Sequence, residues 1–154
     1  MTRVYVFAAF IAKVEWFALA LQFSLSYSLF VRAGNSPGAA IVQFFSYFTI
    51  LSNLGIAVAL GAFLFSRKPN AWIGSPLVLT GLAIYILAVG LAYNIALRSI
   101  GDPQGWMRLA DEMLHSVLPL WYFLFWLLCV PKVACAGGKL FPGSISLWCT
   151  PYMR

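Results

Sequence analysis

Four segments of this 154-residue chain are long and apolar enough to cross a lipid bilayer, and that limits its fold more than any other feature. A membrane-crossing helix needs about 20 mostly apolar residues. Residues 4–30, 40–65, 75–97 and 109–130 meet that length. Hydrocarbon offers a backbone no hydrogen-bond partner, so a spanning segment must satisfy its own N–H and C=O groups as a helix. The connecting stretches are rich in turn formers: Gly34, Asn35, Pro37 and Gly38 in the first, Gly101, Asp102, Pro103 and Gly105 in the third. The expected fold is an all-α integral membrane protein. Residues 1–132 form one bundle of four transmembrane helices, and residues 133–154 form an atypical tail. The first segment is too long for a signal peptide, and Lys13 and Glu15 interrupt it, so it is read as a retained span.

Composition agrees. Hydrophobic residues make up 62% of the chain and charged residues 9%, against about 25% charged in a soluble domain. Ten Lys and Arg face four Asp and Glu. With so few acids, the excess reads as basic membrane loops rather than as a nucleic-acid surface. Three cysteines (Cys129, Cys135, Cys149) form no CxxC pair and no even framework, and there is one histidine. No metal or cofactor is therefore expected.

Orientation follows from the loop cations. With the N-terminus in the cytoplasm, the inner side carries Arg3, Arg67, Lys68, Lys132, Lys139 and Arg154, and the outer side Arg32, Arg98 and Arg108. Six against three favours a multi-pass cell-membrane protein with its N-terminus inside. Tyr5, Tyr27, Trp72 and Trp106 suit interfacial anchors.

The polar residues of the spans fall at one depth. Thr49 lies roughly 13 Å into the second span and His115 roughly 9 Å into the fourth, at 1.5 Å per residue. Gln22, Ser46, Asn53, Asn94, Asp111 and Glu112 fall in the same half of the bilayer. In a continuous helix, Ser46, Thr49 and Asn53 line one face, as do Arg108, Asp111 or Glu112, and His115. Glu15, Gln22 and Ser26 share a face of the first span, on which Glu15 can reach the interior; Lys13 is expected to snorkel inward. Pro119, four residues after His115, lacks the N–H that the His115 carbonyl would accept, and a kink is expected there.

These groups admit two readings. In one they are glue, since Ser, Thr and Asn commonly hold membrane helices together. In the other they are a hydroxyl nucleophile, an imidazole base, an acid that orients the ring, and an amide of Asn53 or Asn94 facing the oxyanion. A pocket at this depth would meet an ester bond on a membrane lipid.

Five ordered motifs sharpen the second reading: YFTILSN (47–53), GLAYNIALR (90–98), DPQG (102–105), ADEMLHSVLP (110–119) and WYFLFWLLCVPK (121–132). Together they resemble a family of small bacterial multi-spanning membrane proteins. That family is distantly similar to the androgen-induced membrane proteins, threonine hydrolases of fatty-acid esters of hydroxy fatty acids. The resemblance implies Thr49 as nucleophile and His115 as base. It also implies further helices after residue 132, about six in all. Here residues 133–154 hold two prolines, two of the cysteines and no 20-residue apolar run. The expectation is a truncated or out-of-frame ending, with a pocket wall missing or supplied by a second subunit in a homo-oligomer. The expected function is lipid-ester hydrolysis. The alternative is a non-catalytic helix-packing subunit or small-ligand binder using the same polar layer.

Overall fold

The computed structural model describes residues 2–65, 72–101 and 103–130. The tail at 133–154, and with it the expectation of an aberrant ending, lies outside the described residues. Among the described residues the elements are helices: α1 (Thr2–Arg32), α2 (Pro37–Ser46), α3 (Phe48–Phe65), a 3-10 turn (Trp72–Gly74), α4 (Pro76–Ala92), α5 (Trp106–Glu112) and α6 (Leu118–Cys129). Two π-helical turns, Tyr93–Leu97 and Met113–Val117, continue α4 and join α5 to α6. Four helical stretches, Arg3–Arg32, Phe48–Phe65, Pro76–Leu97 and Trp106–Cys129, are long and apolar enough to cross a membrane.

Local chemistry sets the helix starts. Ser36 and Ser75 cap α2 and α4 by accepting from the amides of Ala39 (3.2 Å) and Val78 (3.4 Å), each followed by a proline in the first turn. Proline costs nothing there, because the first amides have no partner within the helix. Gly34, at φ +89°, lets the chain leave α1 through a conformation that other residues rarely adopt.

The helix expected over residues 40–65 is broken. Tyr47 is extended (φ −77°, ψ 124°), so α2 ends at Ser46 and α3 begins at Phe48. Neither proline nor glycine stands at the break. The Ser46 hydroxyl donates to the Val42 carbonyl at 2.7 Å, a local bond of the kind that bends helices. Ser46 is consequently exposed on a separate helix and does not share a continuous helical face with Thr49 and Asn53.

The core lies where α1 packs on α3 and α4 on α6. Ile11, Ile56, Leu60, Ile86, Leu118, Tyr122 and Phe125 are fully buried. Tyr5 stacks on Phe63 (5.3 Å) near one end of the α1 pairing and Phe23 meets Phe44 (5.0 Å) toward the other. Gly55 allows α3 and α4 to approach closely, since a Cβ there would stand 2.9 Å from Leu82 Cδ2. The α4–α6 seam is fastened by two polar bonds. Tyr122 donates to the Leu79 carbonyl at 3.0 Å, and Trp126 Nε1 to Thr80 Oγ1 at 3.0 Å. Tyr122→Phe is expected to cost about 1 kcal/mol, read as a lowered thermal midpoint in detergent with the helix content unchanged.

The outside is as apolar as the inside. Val6, Leu29, Phe65, Leu77, Leu91 and Ile95 are among many large apolar side chains standing exposed.

Candidate functional site

The two π-turns bring the polar side chains together. A π-turn inserts one residue, and so rotates the following side chains by about 100° relative to a regular helix. The widened bond in the first runs from the Arg98 amide to the Tyr93 carbonyl at 2.9 Å, and in the second the Leu118 amide reaches the Met113 carbonyl. The second turn ends just ahead of Pro119, where the sequence places an unbonded His115 carbonyl. Gly90 lets α4 come up against that point: a Cβ on it would lie 3.3 Å from the His115 carbonyl and 3.3 Å from Pro119 Cβ.

His115 is clasped on one side. Its Nδ1 stands 2.9 Å from the Asp111 backbone carbonyl and 3.1 Å from Asp111 Oδ1. Both partners are acceptors, so Nδ1 carries the hydrogen and Nε2 is left as the acceptor nitrogen whenever the ring is neutral. The ring stacks on Tyr93 at 4.3 Å, and the Tyr93 hydroxyl donates to Asp111 Oδ2. Asp111 therefore holds both the histidine and the tyrosine that covers it. The His115 side chain remains 20% exposed.

Beside this triad runs a second set. Arg98 pairs with Glu112 and donates to Asn94 Oδ1 at 2.9 Å. Asn94 Nδ2 donates to the Gly90 carbonyl at 2.8 Å and lies 3.4 Å from Ser116 Oγ. Arg98 and Asn94 are exposed and Glu112 is half-buried, so the Arg98–Glu112 pair is solvent-screened and worth at most about 1 kcal/mol.

Thr49 and Asn53 lie on α3. Asn53 is fully buried, and its Nδ2 donates both to the Thr49 carbonyl (2.8 Å) and to the Leu114 carbonyl (3.3 Å). One nitrogen thus joins the turn that carries Thr49 to the turn that carries His115. Both Asn53 amide hydrogens are committed, so Asn53 does not offer the oxyanion donor expected of it. Asn94 is committed likewise. Thr49 is half-buried, and among the described residues no hydrogen bond joins its hydroxyl to His115. Ser46 stands apart, bonded to its own helix.

Two members of the cluster carried no special signal in the sequence. Tyr93 reads there only as a residue near the end of a span, and Arg98 only as a loop cation. A tyrosine directly before Asn94 looks like any lipid-facing tyrosine until the π-turn sets its direction. Among the described residues, no group of three His, Cys, Asp or Glu side chains is placed to hold a metal ion. Comparison of the chain with protein-family models, with curated proteins and with solved structures finds no match.

Proposed function

We propose that the chain is a four-span protein of the cell membrane, N-terminus in the cytoplasm, that hydrolyses an ester bond of a membrane lipid. The observation that carries the reading is the clasp on His115: Asp111 takes Nδ1 and leaves Nε2 to accept a proton. That is the base-and-orienter half of a nucleophilic triad. The exposed apolar side chains on every helix support membrane residence, since a surface of that kind suits hydrocarbon and not water.

In this reading Thr49 Oγ1 attacks the ester carbonyl while His115 Nε2 takes the hydroxyl proton. The tetrahedral intermediate collapses, the C–O bond to the leaving alcohol breaks, and the imidazolium returns the proton to the departing alkoxide. Water, deprotonated by the same nitrogen, then attacks the acyl-threonine; the acyl C–Oγ1 bond breaks, the fatty acid leaves, and the imidazolium returns its proton to Thr49 Oγ1. Thr49 enters through the family resemblance. The Asn53 bridge supports it by setting the Thr49 turn against the His115 turn.

A phosphonate acylation-site probe tests the assignment on membranes carrying the protein. Labelling of the wild type and its loss in Thr49→Ala is the expected result. A wild type that does not label, or a Thr49→Ala variant that labels equally, ends it.

One observation favours a second reading. The Asn53 side chain spends its donors on fastening two helices, as a packing residue does. A non-catalytic helix-packing subunit would show that bond and no labelling.

A further inference from the structure

Among the described residues, the side chains of Glu15, Ser52 and Asn53 are the buried polar ones, and Glu15 and Asn53 are fully shielded from solvent. Neither Glu15 oxygen has a hydrogen-bond partner, and neither does Asn53 Oδ1. These atoms are all acceptors in the absence of a bound hydrogen, and they lie at one level of the bundle. Tyr5 on α1 faces Phe63 on α3, and Phe23 on α1 faces Phe44 on α2. From the Tyr5–Phe63 contact Glu15 lies ten residues along α1 and Asn53 ten residues back along α3, so these antiparallel helices carry the two side chains at one height. Against the fourth helical stretch, Phe10 meets Trp121 at 5.1 Å and Gln22 Nε2 approaches Met107 Sδ at 3.9 Å. Glu15 falls between these contacts, at the height of the Met113–Val117 π-turn whose Leu114 carbonyl Asn53 binds.

We propose that Glu15 is a proton-binding site in the interior of the bundle. Its carboxyl carries a hydrogen and supplies the donor that this level lacks, with Asn53 Oδ1 on the neighbouring helix as its acceptor. A carboxylate would set acceptor against acceptor in a dry interior, the costliest arrangement for buried polar atoms.

The other titratable groups on the elements packed against α1 are engaged elsewhere. Lys13 is exposed and two residues away, hence on another face. The described parts of α2 and α3 carry no Asp, Glu, Lys, Arg or His, and Tyr47 lies outside both. His115 is held by Asp111 and Tyr93, Glu112 by Arg98, and Arg108 is exposed. Tyr122 on α6 lies within electrostatic reach of Glu15, but it spends its only hydrogen on the Leu79 carbonyl and so has none to donate to the carboxyl. A metal ion would need several oxygen ligands around it, whereas a proton needs only these two groups. The site needs no ester chemistry and stands or falls apart from it.

Infrared spectroscopy of the purified protein in liposomes at neutral pH reads the proton directly. The expected result is a carboxylic-acid C=O band in the wild type that is lost in Glu15→Gln and displaced in Glu15→Asp. Addition of sodium chloride should leave it unchanged. Glu15→Gln, whose amide also donates, should keep the wild-type thermal midpoint, while Glu15→Ala lowers it. Absence of a Glu15-dependent acid band overturns the proposal. So does conversion of the band to carboxylate absorption on adding sodium, which would make the ligand a metal cation.

Discussion

His115→Ala is expected to slow hydrolysis of a fluorogenic fatty-acid ester in proteoliposomes by about 10²–10⁴-fold, the usual worth of a positioned general base. The thermal midpoint should move far less than the rate. Asp111→Asn is expected to cost a smaller factor, because the ring keeps the Asp111 backbone carbonyl as a second acceptor on Nδ1. The replacement still weakens the clasp: it removes the negative charge opposite an imidazolium, and the Tyr93 hydroxyl competes for the one remaining side-chain oxygen. Tyr93→Phe should fall nearest the wild type, since the stacking ring is retained. The order His115→Ala, then Asp111→Asn, then Tyr93→Phe is the signature of a base held by an orienter. If all three variants hydrolyse at the wild-type rate and differ only in thermal midpoint, the cluster is packing and the catalytic reading is lost.

What could be read from the sequence divides along a physical line. Long apolar segments and their Gly- and Pro-rich connections report the helices, because a backbone deprived of water has few options. The start of α4 at Ser75–Pro76 falls at the bound expected from residue 75, whereas α2 begins at Pro37, three residues before the span expected from residue 40, because Ser36 caps it and Pro37 fits its first turn. The break at Tyr47 is not legible. It carries no breaker residue, and the 2.7 Å bond that accompanies it, Ser46 to the Val42 carbonyl, is one that serines also make in unbroken helices. The π-turns fall between these cases. Pro119 announces a carbonyl without a partner, but not that the helix answers by widening at Met113–Val117. Nothing announces the matching turn at Tyr93–Leu97, since its sequence YNIAL has no proline or glycine. The site therefore came through in part. Asp111 beside His115 follows from i, i+4 spacing. Tyr93 over the ring, Arg98 on Glu112 and the commitment of both Asn53 N–H donors depend on tertiary geometry. Glu15 lay between the two: its face was legible, its lack of any partner was not.

Gly90→Val is expected to be the most damaging single change at the join between the two π-turns. A Cβ at Gly90 already meets the His115 carbonyl and Pro119 Cβ at 3.3 Å, and valine adds two methyl groups beyond it. Neither neighbour yields easily: one is backbone, and the other is a ring locked to its own helix. Overpacking of this kind costs about 1–3 kcal/mol, or moves the two turns apart. Separation would unstack Tyr93 from His115 and take the Tyr93 hydroxyl off Asp111, so the clasp should loosen along with the fold. Gly81→Ala on the same helix is the control, because a Cβ there meets nothing within 4 Å. The measurement is paired: thermal midpoint in detergent, and tyrosine environment by near-UV circular dichroism. A Gly90→Val protein with the Gly81→Ala midpoint and an unchanged aromatic spectrum would mean that α4 does not press on the π-turn. The approach of Tyr93 to His115 would then need a cause other than the missing side chain at Gly90.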